Sequence, residues 1–136
     1  MPSAQASSHI VEHRRGEFLI STDAALLDVD VIHKFLTNCY WAKGVPRETV
    51  ERSIEHALCF GVYDGSGAQV AFARVISDFA TVAYVGDVFV LESHRGYGLG
   101  KWMMQSIVQH PELQGLRRWI LTTRDAHGFY SQVGVT

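Results

Sequence analysis

The sequence predicts an α/β domain whose strands and helices alternate in mixed order, on three observations. Residues 60–90 read as three short strand-like runs, the first two flanking an Asp64-Gly65-Ser66-Gly67 turn, which gives an antiparallel meander. Two segments ahead of the meander, 26–40 and 48–58, read as helices. Beyond it, a valine-rich run passes through a glycine-rich loop into an amphipathic helix, and a further short strand follows.

The elements follow in order. Residues 17–21 (EFLIS) form a first strand. Over 26–40, Val29, Ile32, Phe35 and Leu36 share one helical face, and the helix ends near Trp41-Ala42-Lys43-Gly44. Pro46 opens the next helix at its first turn, because proline's missing N–H is tolerated there. Strands 60–63, 69–76 and 81–90 build the meander. The helix over 98–110 stops at Pro111, and 118–123 (RWILTT) is the next strand. No internal repeat or linker interrupts the chain, so 16–136 reads as one domain behind a flexible arm, 1–15, of small and polar residues.

Composition narrows the function. A length of 136 residues supports a single core, and 47% hydrophobic with 19% charged residues is ordinary for a soluble globular protein. No apolar run reaches the roughly 18 residues that span a bilayer, and the start lacks a signal-peptide pattern. Neither a membrane nor, at a net charge of −2, a nucleic acid is expected as partner. Cys39 and Cys59 have no CxxC spacing and fit a reducing cytoplasm. Among seven histidines only His9 and His13 stand at helical spacing, with no cluster to complete a metal site, so no metal is expected.

The run Arg95-Gly96-Tyr97-Gly98-Leu99-Gly100-Lys101 carries the chemistry. A glycine-rich turn before a helix exposes backbone N–H groups at the positive end of the helix dipole, a setting for a phosphate or pyrophosphate. Three templates can be counted. The P-loop pattern requires glycine where Arg95 stands and Ser or Thr where Trp102 stands. The Rossmann G-x-G-x-x-G pattern fails from Gly96, ending on Lys101, and from Gly98, ending on Met103. The run fits R-x-x-G-x-G, placed between strand and helix.

In this loop the chain resembles the GNAT superfamily of acetyl-CoA-dependent N-acetyltransferases. Ala126, Phe129-Tyr130 and Gly134-Val135 also fall at the spacings of the superfamily's next motif, whereas Thr123 stands where many members carry asparagine. The resemblance covers roughly the last 70 residues well and the earlier part only by order of elements. It implies a mixed, mostly antiparallel central sheet flanked by helices, here lacking the usual C-terminal strand or strands. An open sheet edge and a homodimer through it are then expected.

The resemblance further implies acetyl transfer from acetyl-CoA, as cosubstrate, to a primary amine of a small molecule or peptide by direct attack. Main-chain groups of Val88, Phe89 and Val90 would face the pantetheine and thioester. Amides from Arg95 through Gly96, Tyr97, Gly98, Leu99 and Gly100 to Lys101 would hold the pyrophosphate. Tyr130 matches the acid that protonates the departing thiolate, and is equally readable as a core aromatic. Asp87 and Glu92 bracket the cofactor strand as candidate bases; Asp87 is the better placed, and is also readable as a solvated loop carboxylate. Trp41, Phe79 and Tyr84 are candidates for an acceptor pocket or for the core, and Asp125 reads as a helix cap. Two alternatives stand beside acetyl transfer: a longer acyl-CoA donor, and a CoA-binding regulatory module without turnover.

Overall fold

The computed structural model describes residues 10–121. Its elements are β1 (Glu12–Arg15), β2 (Phe18–Ser21), α1 (Val29–Asn38), α2 (Arg47–Glu55), β3 (Leu58–Tyr63), β4 (Gln69–Ser77), β5 (Val82–Val90), α3 (Leu99–Gln109) and β6 (Arg118–Leu121). The described strands form one sheet in chain order. Every neighbouring pair is antiparallel except β5 and β6, which run parallel because α3 crosses between them. This is the mixed, mostly antiparallel sheet flanked by helices that the sequence implied.

The sequence placed 12–15 in a flexible arm, and that part of the assignment is corrected. Glu12–Arg15 pair with β2 in the register Glu12↔Ser21 to Arg15↔Phe18 around Gly16, whose φ is +61°. All four residues are exposed, so β1 has no apolar face to betray it. Other boundaries move by a few residues: β3 begins at Leu58 rather than 60, and α2 ends at Glu55.

The alternation of side chains along the strands divides the core in two. On one face Leu58, Phe60 and Val62 of β3, with Ala73 and Val75 of β4, pack under Leu99, Met103, Met104 and Ile107 of α3. On the other, Cys59, Phe72 and Phe89 pack under Ile32 and Leu36 of α1 and Val50 and Ile54 of α2. Asp28 begins α1 by accepting from the Val31 N–H at 3.3 Å. Its own N–H donates to Oε1 of the buried Gln69 at 2.7 Å, which fixes α1 to β4. No helix among the described residues is long and apolar enough to cross a membrane.

Two features shape the middle of the sheet. The β4–β5 register slips between Phe72 and Arg74, leaving an extra residue on β5. Accordingly Ala83 and Val85 before the slip, and Val88 and Val90 after it, all face α3. The parity of the strand changes across Gly86-Asp87. The second feature is that the described part of β6, which ends at Leu121, pairs with Val82 to Val85, so 86–90 have no β6 partner among the described residues. The expected open C-terminal edge falls beyond Leu121 and lies outside the described residues.

Candidate active site

The loop after β5 adopts the backbone its glycines were expected to permit. A short 3-10 turn over Glu92–His94 leads to Gly96 at φ +93° and Gly98 at φ +74°. A Cβ at Gly96 would meet nothing within 4 Å, and one at Gly98 would make only ordinary contact with Arg15. The left-handed backbone, not a shortage of room, therefore requires glycine at both positions. Gly98 caps α3 without a side chain, and a helix offers its first-turn N–H groups no internal acceptor. Beside them lies a depression of about 260 Å³ lined by Val90, His94, Arg95, Gly96, Gly98, Leu99, Gly100 and Lys101.

Seven of those lining residues are among the ten that the resemblance assigned to the cofactor, and His94 is an addition. Tyr97 is not in the lining: it is 61% exposed, and its ring leans on Phe18 and His94. Arg95 Nε donates to the Val90 carbonyl at 3.1 Å, tying the loop back to the end of β5. Lys101 is exposed at the first turn of α3.

Arg15 was not anticipated. Its guanidinium donates to the carbonyls of Tyr97 and Gly98, at 3.2 and 3.3 Å, and lies 4.6 Å from the centre of the Trp102 ring. It braces the loop from 82 residues away in sequence. No local pattern encodes that contact; the basic pair Arg14-Arg15 beside Gly16 was the only visible trace.

Backbone direction decides which residues of β5 face the unpaired side. The Leu91 N–H donates to the Val70 carbonyl at 2.8 Å, so Leu91 turns its main chain toward β4. Counting back by twos, Phe89 does the same opposite Phe72, while Val90 and Val88 turn away from β4. Phe89 is thus committed to the sheet by its backbone, and by its ring to a stack on Phe35 at 4.0 Å and 10°.

Asp87 lies at the register slip with φ +53°. Its Oδ2 accepts from Arg74 Nε at 2.9 Å and its Oδ1 from Trp41 Nε1 at 3.2 Å. Both members of the ion pair have most of their side-chain surface covered. Asp87 is therefore not the solvated carboxylate of the bland reading. Trp41 stands near Phe35, 6.3 Å between ring centres, beside a groove of about 500 Å³ lined by Val31, Lys34, Phe35, Asn38, Cys39 and Leu91. Tyr84 shares the face of Asp87, opposite Ile76. Phe79, at φ +61°, packs with the α3 core instead and does not join Trp41. Glu92 is exposed, and its carbonyl accepts from the Arg95 N–H at 3.3 Å. Thr123, Asp125 and Tyr130 lie outside the described residues.

A glycine-rich loop between β5 and α3 and a mixed, mostly antiparallel sheet define the architecture, and comparison with known proteins places it in a family. The profile of the Acetyltransferase (GNAT) family matches residues 29–135, and the chain belongs to that family. It is 35% identical to a Gibberella zeae protein named as a candidate acetyltransferase, over 89% of this chain and 80% of that one. It is 30% identical to GCN5-related N-acetyltransferase 1, chloroplastic, of Arabidopsis thaliana, over 98% of this chain and 68% of that one. A crystal structure of a GNAT-family protein from Xanthomonas campestris pv. campestris superposes with a TM-score of 0.82 at 51% identity. That match covers 95% of this chain and 85% of the other.

Proposed function

We propose that the protein moves an acetyl group from acetyl-CoA to a primary amine by direct attack. One observation carries the reading furthest. The depression at the head of α3 and the groove against α1 meet at consecutive residues, Val90 and Leu91, whose side chains lie on opposite faces of the sheet. A donor anchored on one face and an acceptor entering from the other would converge at the unpaired segment of β5.

The chemistry follows from that convergence. A typical alkylamine has a pKa of about 10.4, so its proton must leave before nitrogen can attack the thioester carbonyl. In this reading that proton passes to solvent. As the N–C bond forms, the carbonyl oxygen gains charge, and the Val88 N–H is the donor on the side away from β4. The C–S bond then breaks, the thiolate takes a proton from Tyr130 in this reading, and the remaining excess proton on the new amide nitrogen leaves and restores the tyrosine through solvent. Leu99, Gly100 and Lys101 supply first-turn amides for the diphosphate, with the Lys101 and Arg95 charges at the rim. The pantetheine arm would lie along Val88 and Val90 as an added strand.

Calorimetry with acetyl-CoA tests the donor, and thiol release tests turnover against polyamines, amino acids, aminoglycosides, peptide N-termini and aromatic monoamines. The aromatic arm is included because Phe35 and Trp41 border the groove. Tight binding with release for at least one amine is expected. Binding without release would favour a regulatory module, and absent binding would end the reading. Tyr130→Phe should lower turnover with little change in acetyl-CoA affinity; weakened binding would make Tyr130 structural.

A further inference from the structure

Asp87 is a non-glycine residue in the left-handed region, at the one slip in the β4–β5 ladder. Asp and Asn tolerate that backbone better than other side chains, yet it is unfavourable unless surrounding contacts hold it. Two contacts do so, from different elements. Arg74, on β4, holds one carboxylate oxygen, and Trp41, in the connection between α1 and α2, donates its indole N–H to the other. Trp41 is 38% exposed and is set edge-on against Tyr40, so its orientation is fixed more by these partners than by burial.

From this geometry we infer that Trp41 and Arg74 are positioning residues, clamping the Asp87 carboxylate so that the bulge points the Val88 N–H to the side of β5 away from β4. The carboxylate is engaged as an anchor, and the anchor sets the direction of the main chain one residue later. Each carboxylate oxygen is engaged by one of these two donors, Arg74 on β4 and Trp41 between the helices. Asp87 therefore acts on the reaction through Val88. The inference takes its purpose from the acetyl-transfer reading, but the clamp can be tested without it.

The experiment uses the full chain labelled with nitrogen-15, observed alone, with CoA and with acetyl-CoA. Amides of Gly96, Gly98 and Lys101 report the diphosphate; the Val88 shift that acetyl-CoA causes beyond CoA reports the acetyl group. In Trp41→Phe and Asp87→Ala, hydrogen exchange at Phe89, whose main chain pairs with β4 beside the bulge, should quicken in the unliganded chain by about five- to tenfold, the effect of weakening the ladder there by about one hydrogen bond. The acetyl-specific shift should disappear while CoA affinity at the loop stays within about twofold. Asp87→Asn keeps an oxygen for the indole and tolerates the left-handed backbone, so it should retain most of the shift.

Unchanged exchange and an unchanged acetyl-specific shift in Trp41→Phe and Asp87→Ala would overturn the clamp. So would loss of the shift in Asp87→Asn with retention in Trp41→Phe. Loop amides that ignore CoA in the unaltered chain would instead remove the acetyl-transfer reading, and Phe89 exchange would still decide whether the clamp exists.

Discussion

Gly98 shows how much a single residue reveals when backbone geometry alone restricts its identity. It caps α3 at φ +74°, with ordinary room around a hypothetical Cβ. Gly98→Ala should then cost about 1–2 kcal/mol, the penalty of a left-handed alanine, in urea unfolding. The same substitution should weaken CoA several-fold in calorimetry, because the first-turn amides shift with the cap; unchanged affinity would mean that they do not hold the diphosphate. This part of the site was legible because glycine's freedom and a following helix both appear in contiguous sequence. Arg15 was not legible as a site residue, and Trp41 was legible as a candidate for an acceptor pocket or the core but not as a partner of Asp87. Their partners stand 82 and 46 positions away, and only the folded sheet brings them together. Arg15→Ala should loosen the loop and reduce CoA affinity, whereas Arg15→Lys should recover little, since one ammonium does not reproduce a fork across two carbonyls and an indole face.

At the level of elements, β5 carried a signal that periodicity alone could have exposed. Its core-facing residues are 83 and 85, then 88 and 90, a change of parity across Gly86-Asp87 that marks the bulge. By contrast β1 was hidden, because Glu-His-Arg-Arg has neither alternation nor an apolar face. The turn joining β4 to β5 offers a separate test. Hydrogen bonds from the Thr81 hydroxyl and from the N–H groups of Thr81, Ala80 and Val82 hold the Asp78 carboxyl well below its ordinary value. A carboxyl depressed on folding stabilises the native state above its unfolded pKa, about 3.9, and that contribution fades as pH falls toward the folded value. Asp78→Asn should therefore melt at a lower temperature than the unaltered chain at pH 7. The gap should narrow in thermal scans run progressively below about pH 4; a gap constant down to pH 2 would place the effect elsewhere.

For the molecule as a whole, the order of elements was readable because each strand and helix buries one patterned face. The Arg74–Asp87–Trp41 contact was not, since its three members come from separate elements. A ligand bound along β5 in the proposed reading binds the native state alone, so melting temperature should rise with CoA concentration. Stabilisation should approach about 2.7 kcal/mol at one hundred times Kd. The increment should shrink as ionic strength rises if Arg95 and Lys101 act on the diphosphate, as proposed, through screened charge. A melt indifferent to CoA would show that the segment takes no such ligand. The brace from Arg15 also has a practical side for anyone trimming this protein. Composition invites a cut at residue 16, and a chain begun there would keep its hydrophobic interior while releasing Tyr97, Gly98 and Trp102 from the Arg15 contacts that tie them to the leading strand. Such a shortened protein should pass a circular-dichroism check and yet, on the proposed reading, bind the donor's nucleotide tail more weakly.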